Sequence, residues 1–113
     1  MNLIEYQLKA AKTAVYPGRE EPINLQGLTY VTLGLVGEAG EIANKVKKFH
    51  RGDKVLSDHA RQELAKELGD VLWYVAMTAD ELGYDLEEVA GMNIDKLHSR
   101  KERGQIKGDG DNR

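Results

Sequence analysis

Gly34-Leu35-Val36-Gly37-Glu38-Ala39-Gly40-Glu41-Ile42-Ala43-Asn44-Lys45-Val46-Lys47-Lys48 is the stretch that decides the fold of this chain. Its apolar residues recur at helical spacing, and no proline interrupts them. Followed outward, the stripe is Leu28, Val31, Leu35, Ile42, Val46 and Phe49. It predicts one helix from about Leu28 to His50, closed by Gly52. At about 100° per residue, Glu38 falls inside that stripe, Glu41 lies one turn on toward its flank, and Lys45 falls between the two. A helix that points a carboxylate along its packed face needs a reason for it, because a buried charge is costly unless something positive accompanies it.

The reason is sought in a second stretch, Glu67-Leu68-Gly69-Asp70-Val71-Leu72-Trp73-Tyr74. It belongs to a helix expected from about Asp58 to Leu82, with Ser57 as N-cap and Gly83 at the C-terminal cap. On it Glu63, Glu67, Asp70 and Tyr74 form a single seam, and its later half, Val71 to Ala79, is apolar on nearly every side. Two further helices flank the pair. The first is expected from Asn2 to Val15, with Ile4, Leu8, Ala11 and Val15 as its apolar face, stopped by Tyr16-Pro17-Gly18. The last opens with the capping-box pair Asp85 and Glu88, carries the stripe Leu86, Val89, Ala90, Asn93 and Leu97, and ends at Arg103 before Gly104. No segment alternates with period two. The fold class is therefore all-α and four-helix-bundle-like: a single helical domain over residues 1–103, with the polar, glycine-rich residues 104–113 expected to be disordered.

Composition agrees with one small domain. The chain has 113 residues, no cysteine, and 16 basic against 19 acidic side chains for a net charge of -3. Disulfides and thiolate metal sites are excluded. Nothing approaches the ~20 apolar residues of a membrane span, and Met1 to Glu5 lacks the basic start and apolar run of a signal peptide, so a cytoplasmic location and no membrane partner are expected. The acidic balance argues against a stable nucleic-acid partner. Twelve glycines accompany only two prolines. Gly34, Gly37, Gly40, Gly69 and Gly91 fall inside expected helices, where each costs ~1 kcal/mol relative to Ala. Close approach of the two helices would explain them.

Packed antiparallel, the two central helices could bring Glu38 and Glu41 together with Glu67 and Asp70. Four carboxylates in one cleft repel unless a cation sits among them. The all-oxygen donor set suits Mg²⁺ or Mn²⁺ and not zinc, and a Mg²⁺ site of this kind keeps several waters and binds substrate phosphates. A lone Glu-x-x-Glu is common on solvated helices. Two such pairs, each bordering an apolar face, are the more telling pattern.

These two stretches resemble the MazG nucleotide pyrophosphohydrolases, in pair order, pair spacing, the Gly-Glu-Ala-Gly-Glu context and the aromatic pair after Asp70, over about Leu28 to Arg103. The group, the all-α NTP pyrophosphatases, also includes the dimeric dUTPases and the dCTP pyrophosphatases. The resemblance implies Mg²⁺-dependent hydrolysis of a (d)NTP to the (d)NMP and pyrophosphate, with Mn²⁺ able to substitute, in nucleotide-pool control or house-cleaning. It implies Glu38, Glu41, Glu67 and Asp70 as metal ligands, with Glu38 or Glu41 instead acting on the water, and a homodimer or homotetramer with sites at or near the subunit interface.

Substrate contacts are expected from Lys45 and Lys48 beside the Glu pair, and from Asn93, Lys96 and Arg100 on the last helix, whose counterpart in the family faces the active site. Trp73 offers a wall for the base. Plainer roles fit the same residues: solvated charges for Lys45 and Lys48, a helix–helix hydrogen bond for Asn93, packing in the bundle or at a dimer interface for Trp73. The three histidines form no ligand set, and no P-loop is present. Two other functions compete with the enzyme. One is a non-catalytic helical module that binds a nucleotide or a protein. The other is a helix-turn-helix using the basic cluster Lys45, Lys47, Lys48, Arg51 and Lys54, which the adjacent carboxylates disfavour.

Overall fold

The structure, a computed structural model, describes residues 1–113 and is entirely helical. Its elements are α1 (Leu3–Ala11), α2 (Leu25–Arg51), α3 (Asp58–Glu81) and α4 (Leu86–Glu102). The caps account for most boundaries. Asn24 accepts a hydrogen bond from Gly27 N–H at 2.9 Å, which starts α2 one turn before the expected Leu28. Gly52, at φ +91°, ends it with its N–H bonded back to Lys48 and Phe49. Ser57 caps α3 as expected, accepting from Ala60 N–H at 3.1 Å. Beyond α3, Gly83 takes φ +78° and Tyr84 N–H turns back to the Ala79 carbonyl at 2.9 Å.

α2 and α3 form a long antiparallel hairpin. Its register shows in the facing residues: Gly27 lies against Glu81 and, seven residues on, Gly34 lies against Tyr74, seven residues back. α1 packs on α3 and α4, and α4 packs on α1 and α3 but not on α2. The core sits where α1, α4 and one end of the hairpin meet, and comprises Ala10, Tyr16, Val31, Ala76, Met77 and Leu86. The rest of the hairpin packs only on itself, so Leu33, Val36, Leu68 and Leu72 remain exposed.

Two expectations from the sequence need correction. First, α1 ends at Ala11, not Val15, and of its predicted apolar face only Ala11 packs against the core. Leu8 is 62% and Val15 91% exposed, while Gln7 and Ala10 are buried. The polar Gln7 is drawn inward because its amide closes three main-chain groups. Its Nε2 donates to the carbonyls of Ala76 and Tyr84 at 3.2 and 3.1 Å, and its Oε1 accepts from Leu86 N–H at 2.8 Å. It thus clips the α3–α4 connection to α1. The chain leaves the helix at Thr13, whose hydroxyl donates to the Ala10 carbonyl at 2.7 Å. Second, of the five glycines expected inside helices only Gly34 is at a close approach: a Cβ there would run into the Tyr74 ring, whereas Gly37, Gly40, Gly69 and Gly91 face open space within the chain; a sixth, Gly27, which α2 takes in by starting early, lies against Glu81.

Met77 is fully buried and Gly91 fully open, so they should respond oppositely. Urea denaturation should show Met77→Ala losing about 2–5 kcal/mol of stability. Gly91→Ala should gain up to about 1 kcal/mol. A Met77→Ala protein as stable as the parent would contradict this placement of the core.

Candidate functional site

The antiparallel register puts Glu38 of α2 opposite the seam of α3. One carboxylate oxygen each from Glu38, Glu67 and Asp70 lies within 4.8 Å of the other two. Glu67 and Asp70 reach the group together because residues three apart share a helix face. Glu38 is half-buried, as its position inside the apolar stripe demands, and its carboxyl is pushed above the ordinary range. Burial is the first cause, and the like charges of Glu41, Asp70 and Glu67 follow. Lys45 makes an ion pair with Glu67, which holds the ammonium above the usual lysine value.

Glu41 is exposed one turn beyond Glu38 and stands outside the three-carboxylate group, acting on it only through its charge. Lys48 is half-buried with no ion pair. The α4 residues stand apart from the carboxylates: Asn93 is exposed, and Lys96 and Arg100 pair with Asp111 of the C-terminal segment. The two helices that carry the carboxylates thus supply Lys45 as their paired cation, and α4, which does not pack on α2, supplies none within the single chain.

Aromatic side chains adjoin the carboxylates. Glu38, Asp70, Trp73 and Tyr74 line an open cleft of about 290 Å³. The latter two residues also line a neighbouring one of about 200 Å³, with Thr13, Tyr16, Pro17 and Tyr30. Tyr16 and Tyr30 are stacked, with centroids 5.2 Å apart and planes 7° from parallel. Trp73 stands edge-on to Tyr16 and Tyr74, and its indole N–H donates to Thr13 Oγ1 at 2.8 Å. Tyr16 is anchored beneath by a hydrogen bond from its hydroxyl to the buried Glu81, and burial with that bond pushes its phenol up to about 12. Arg19 closes this network with an ion pair to Asp80 at 2.7 Å. Tyr6 of α1 also senses the site, since its phenol is raised by burial and then by the Asp70 charge. The misjudged α1 face hid Tyr6 from the sequence reading; the signal was a Tyr one residue before the buried Gln7.

Three carboxylates without a nitrogen or sulfur donor fit a hard divalent cation, and their mutual repulsion gives such an ion something to neutralise. All-α architecture with carboxylates converging from two adjacent helices defines a class of small helical proteins whose facing side chains could hold a metal ion. The comparison with known families narrows it. The family described as MazG nucleotide pyrophosphohydrolase domain matches residues 26–104, and the chain belongs to that family. It is 54% identical over 114 residues to the Gene 37 protein of Mycobacterium phage L5, with both chains covered in full. It is 39% identical over 74 residues to the protein YvdC of Bacillus subtilis (strain 168), covering 60% of this chain and 70% of that one. No solved structure matches it.

The raised carboxyl of Glu38 has a consequence for stability. A group whose pKa is raised by folding favours the fold below its unfolded value, near 4.3 for Glu by the model-peptide scale, and that contribution is lost as the pH climbs through the folded value. Thermal melts in EDTA should therefore show Glu38→Gln more stable than the parent at pH 7–8, with the gap closing as the pH falls through the carboxylate range. A parent protein more stable than the variant at pH 8 would contradict the repulsive cluster.

Proposed function

We propose that this protein is a Mg²⁺-dependent nucleoside triphosphate pyrophosphohydrolase that converts a (d)NTP to the (d)NMP and pyrophosphate. The observation that carries the reading is the convergence of Glu38, Glu67 and Asp70 beside a cleft walled by Trp73 and Tyr74. Glu38, Glu67 and Asp70 hold the metal, with Glu41 at its edge. Bound Mg²⁺ supplies charge neutralisation and a more acidic water. Mn²⁺ serves in its place. The chain's own residues do the rest. Glu41 or Glu38 orients the attacking water and accepts its proton. The water oxygen bonds to the α-phosphorus as the bond to the pyrophosphate oxygen breaks. Lys45 exchanges its ion pair with Glu67 for the substrate phosphates, and Lys48 stands a turn further along. Trp73 and the tyrosines beside it give the base an apolar wall, which favours flat bases without choosing among them.

Lys96 and Arg100, with Asn93, bind phosphate from α4. Because α4 does not pack on α2, a second copy of the chain is the simplest way to bring such groups to the carboxylates. The exposed Leu33, Val36, Leu68 and Leu72 of the hairpin support assembly as a homodimer or homotetramer. The biological role that follows is control or cleansing of a nucleotide pool.

Purified protein incubated with Mg²⁺ and a panel of canonical and modified NTPs and dNTPs should release monophosphate and pyrophosphate. Orthophosphate with a diphosphate would refute the reaction. Glu67→Gln and Asp70→Asn proteins that keep the parent's helicity should lose about 100-fold in kcat, the upper scale on which losing a metal's supporting residues acts. Full activity in both would refute the site.

A further inference from the structure

The C-terminal residues run in turns and bends against α4 and close on its basic end. Arg100 is buried, at 5% exposure. Its Nη2 donates to the Asp111 carbonyl at 2.5 Å and, at longer range, to Asp111 Oδ1 at 3.3 Å and the Gly110 carbonyl at 3.4 Å. Lys96, one turn earlier on α4, donates from Nζ to the same Asp111 Oδ1 at 2.6 Å. Arg103 holds the end of the segment, with Nη2 donating to the Arg113 carbonyl at 2.7 Å. A single carboxylate is thus laid across a pair of cations, and Lys96 first, then Arg100, hold its carboxyl below the usual aspartate range.

The arrangement is incomplete in an informative way. Arg100 Nε is buried and has no acceptor. Nε and Nη2 share one edge of the guanidinium, the edge that grips two oxygens of one anion. Here Nη2 is served, largely by a main-chain carbonyl, while Nε is not. A buried donor left unpaired carries a desolvation cost that a better-shaped acceptor removes. A phosphoryl group has enough oxygens to meet Nε, Nη2 and Lys96 together; the Asp111 carboxylate, with one oxygen at 2.6 Å from Lys96 and 3.3 Å from Arg100, does not. The Asp111 side chain is also 77% exposed, so its ion pairs are screened and easily exchanged.

We propose that Asp111 is a built-in, displaceable competitor for a phosphoryl anion, occupying the Lys96–Arg100 pair until such an anion replaces it and frees residues 104–113. The class of anion, pyrophosphate, rests on the hydrolase reading above; the competition itself does not. In the working enzyme the segment would lower the affinity of α4 for a phosphate chain and speed release of a pyrophosphate product.

The test titrates full-length protein with inorganic pyrophosphate by calorimetry in EDTA, without nucleotide, so that the carboxylate cleft contributes repulsion only. Asp111→Asn should bind pyrophosphate about fivefold more tightly than the parent, the scale of one lost exposed ion pair. Asp109→Asn, which makes the same change of net charge at a residue without an ion pair, should match the parent. Lys96→Ala in the Asp111→Asn background should lose the gain. Trypsin cleavage after Lys107 should accelerate when pyrophosphate is added to the parent. Equal affinities for Asp111→Asn and Asp109→Asn, or no acceleration of cleavage, would overturn the proposal. A protein that passes this test yet hydrolyses no nucleotide would refute the hydrolase reading and leave the competitor standing; an active enzyme that fails it would do the reverse.

Discussion

Everything at the candidate site depends on the register of α2 against α3. That register is set where side chains are absent. Gly27 leaves room for the buried Glu81 carboxylate, and Gly34 leaves room for the Tyr74 ring, two turns along on each helix. With these contacts made, Glu38 must come to rest opposite the Glu67–Asp70 face. A slide of one turn along the helix axis, about 5.4 Å, would exceed the 4.8 Å within which the three carboxylates gather. The helix propensity given up at Gly34 is therefore exchanged for geometry.

The same register produces the electrostatic character of the cleft. Glu38 is carried inside the apolar stripe of α2 and half-buried, and burial with the like charges of Glu41, Asp70 and Glu67 raises its carboxyl. Lys45 relieves Glu67 but leaves Glu38 raised. The divalent cation proposed for this group would relieve that repulsion. The aromatic group beside it is held by other means, through the Tyr16–Glu81 bond and the Trp73–Thr13 bond. Carboxylate cluster and apolar wall thus share Tyr74 and Trp73 but have independent supports.

How much of this was legible in the sequence follows from range. The all-α class, the two long helices and the Ser57 cap are periodic or local features, and periodicity reads them well; the carboxylate pairs were visible by spacing as a set of four, but that Glu41 stands outside the group of Glu38, Glu67 and Asp70 depends on the register. The α1 face was not legible, because Gln7 is drawn inward by carbonyls and an amide about 70 and more residues away, which no hydrophobic pattern records. The role of the glycines was legible only in part. Their clustering around the carboxylate pairs was visible, but which of them faced a neighbour depended on the register itself. The Lys96–Arg100–Asp111 contact joins residues 11 and 15 apart through a segment without periodicity, so the cations were visible and their partner was not.

The central claim is that the hairpin register builds a divalent-cation site from Glu38, Glu67 and Asp70. Electron paramagnetic resonance of Mn²⁺ titrated into the protein tests it most directly, because free and bound ions give distinct signals. The account predicts saturable binding by the parent that Mg²⁺ displaces and that Glu38→Gln and Glu67→Gln each abolish with helicity unchanged. Undiminished Mn²⁺ binding in those variants, or none in the parent with or without nucleotide, would contradict it.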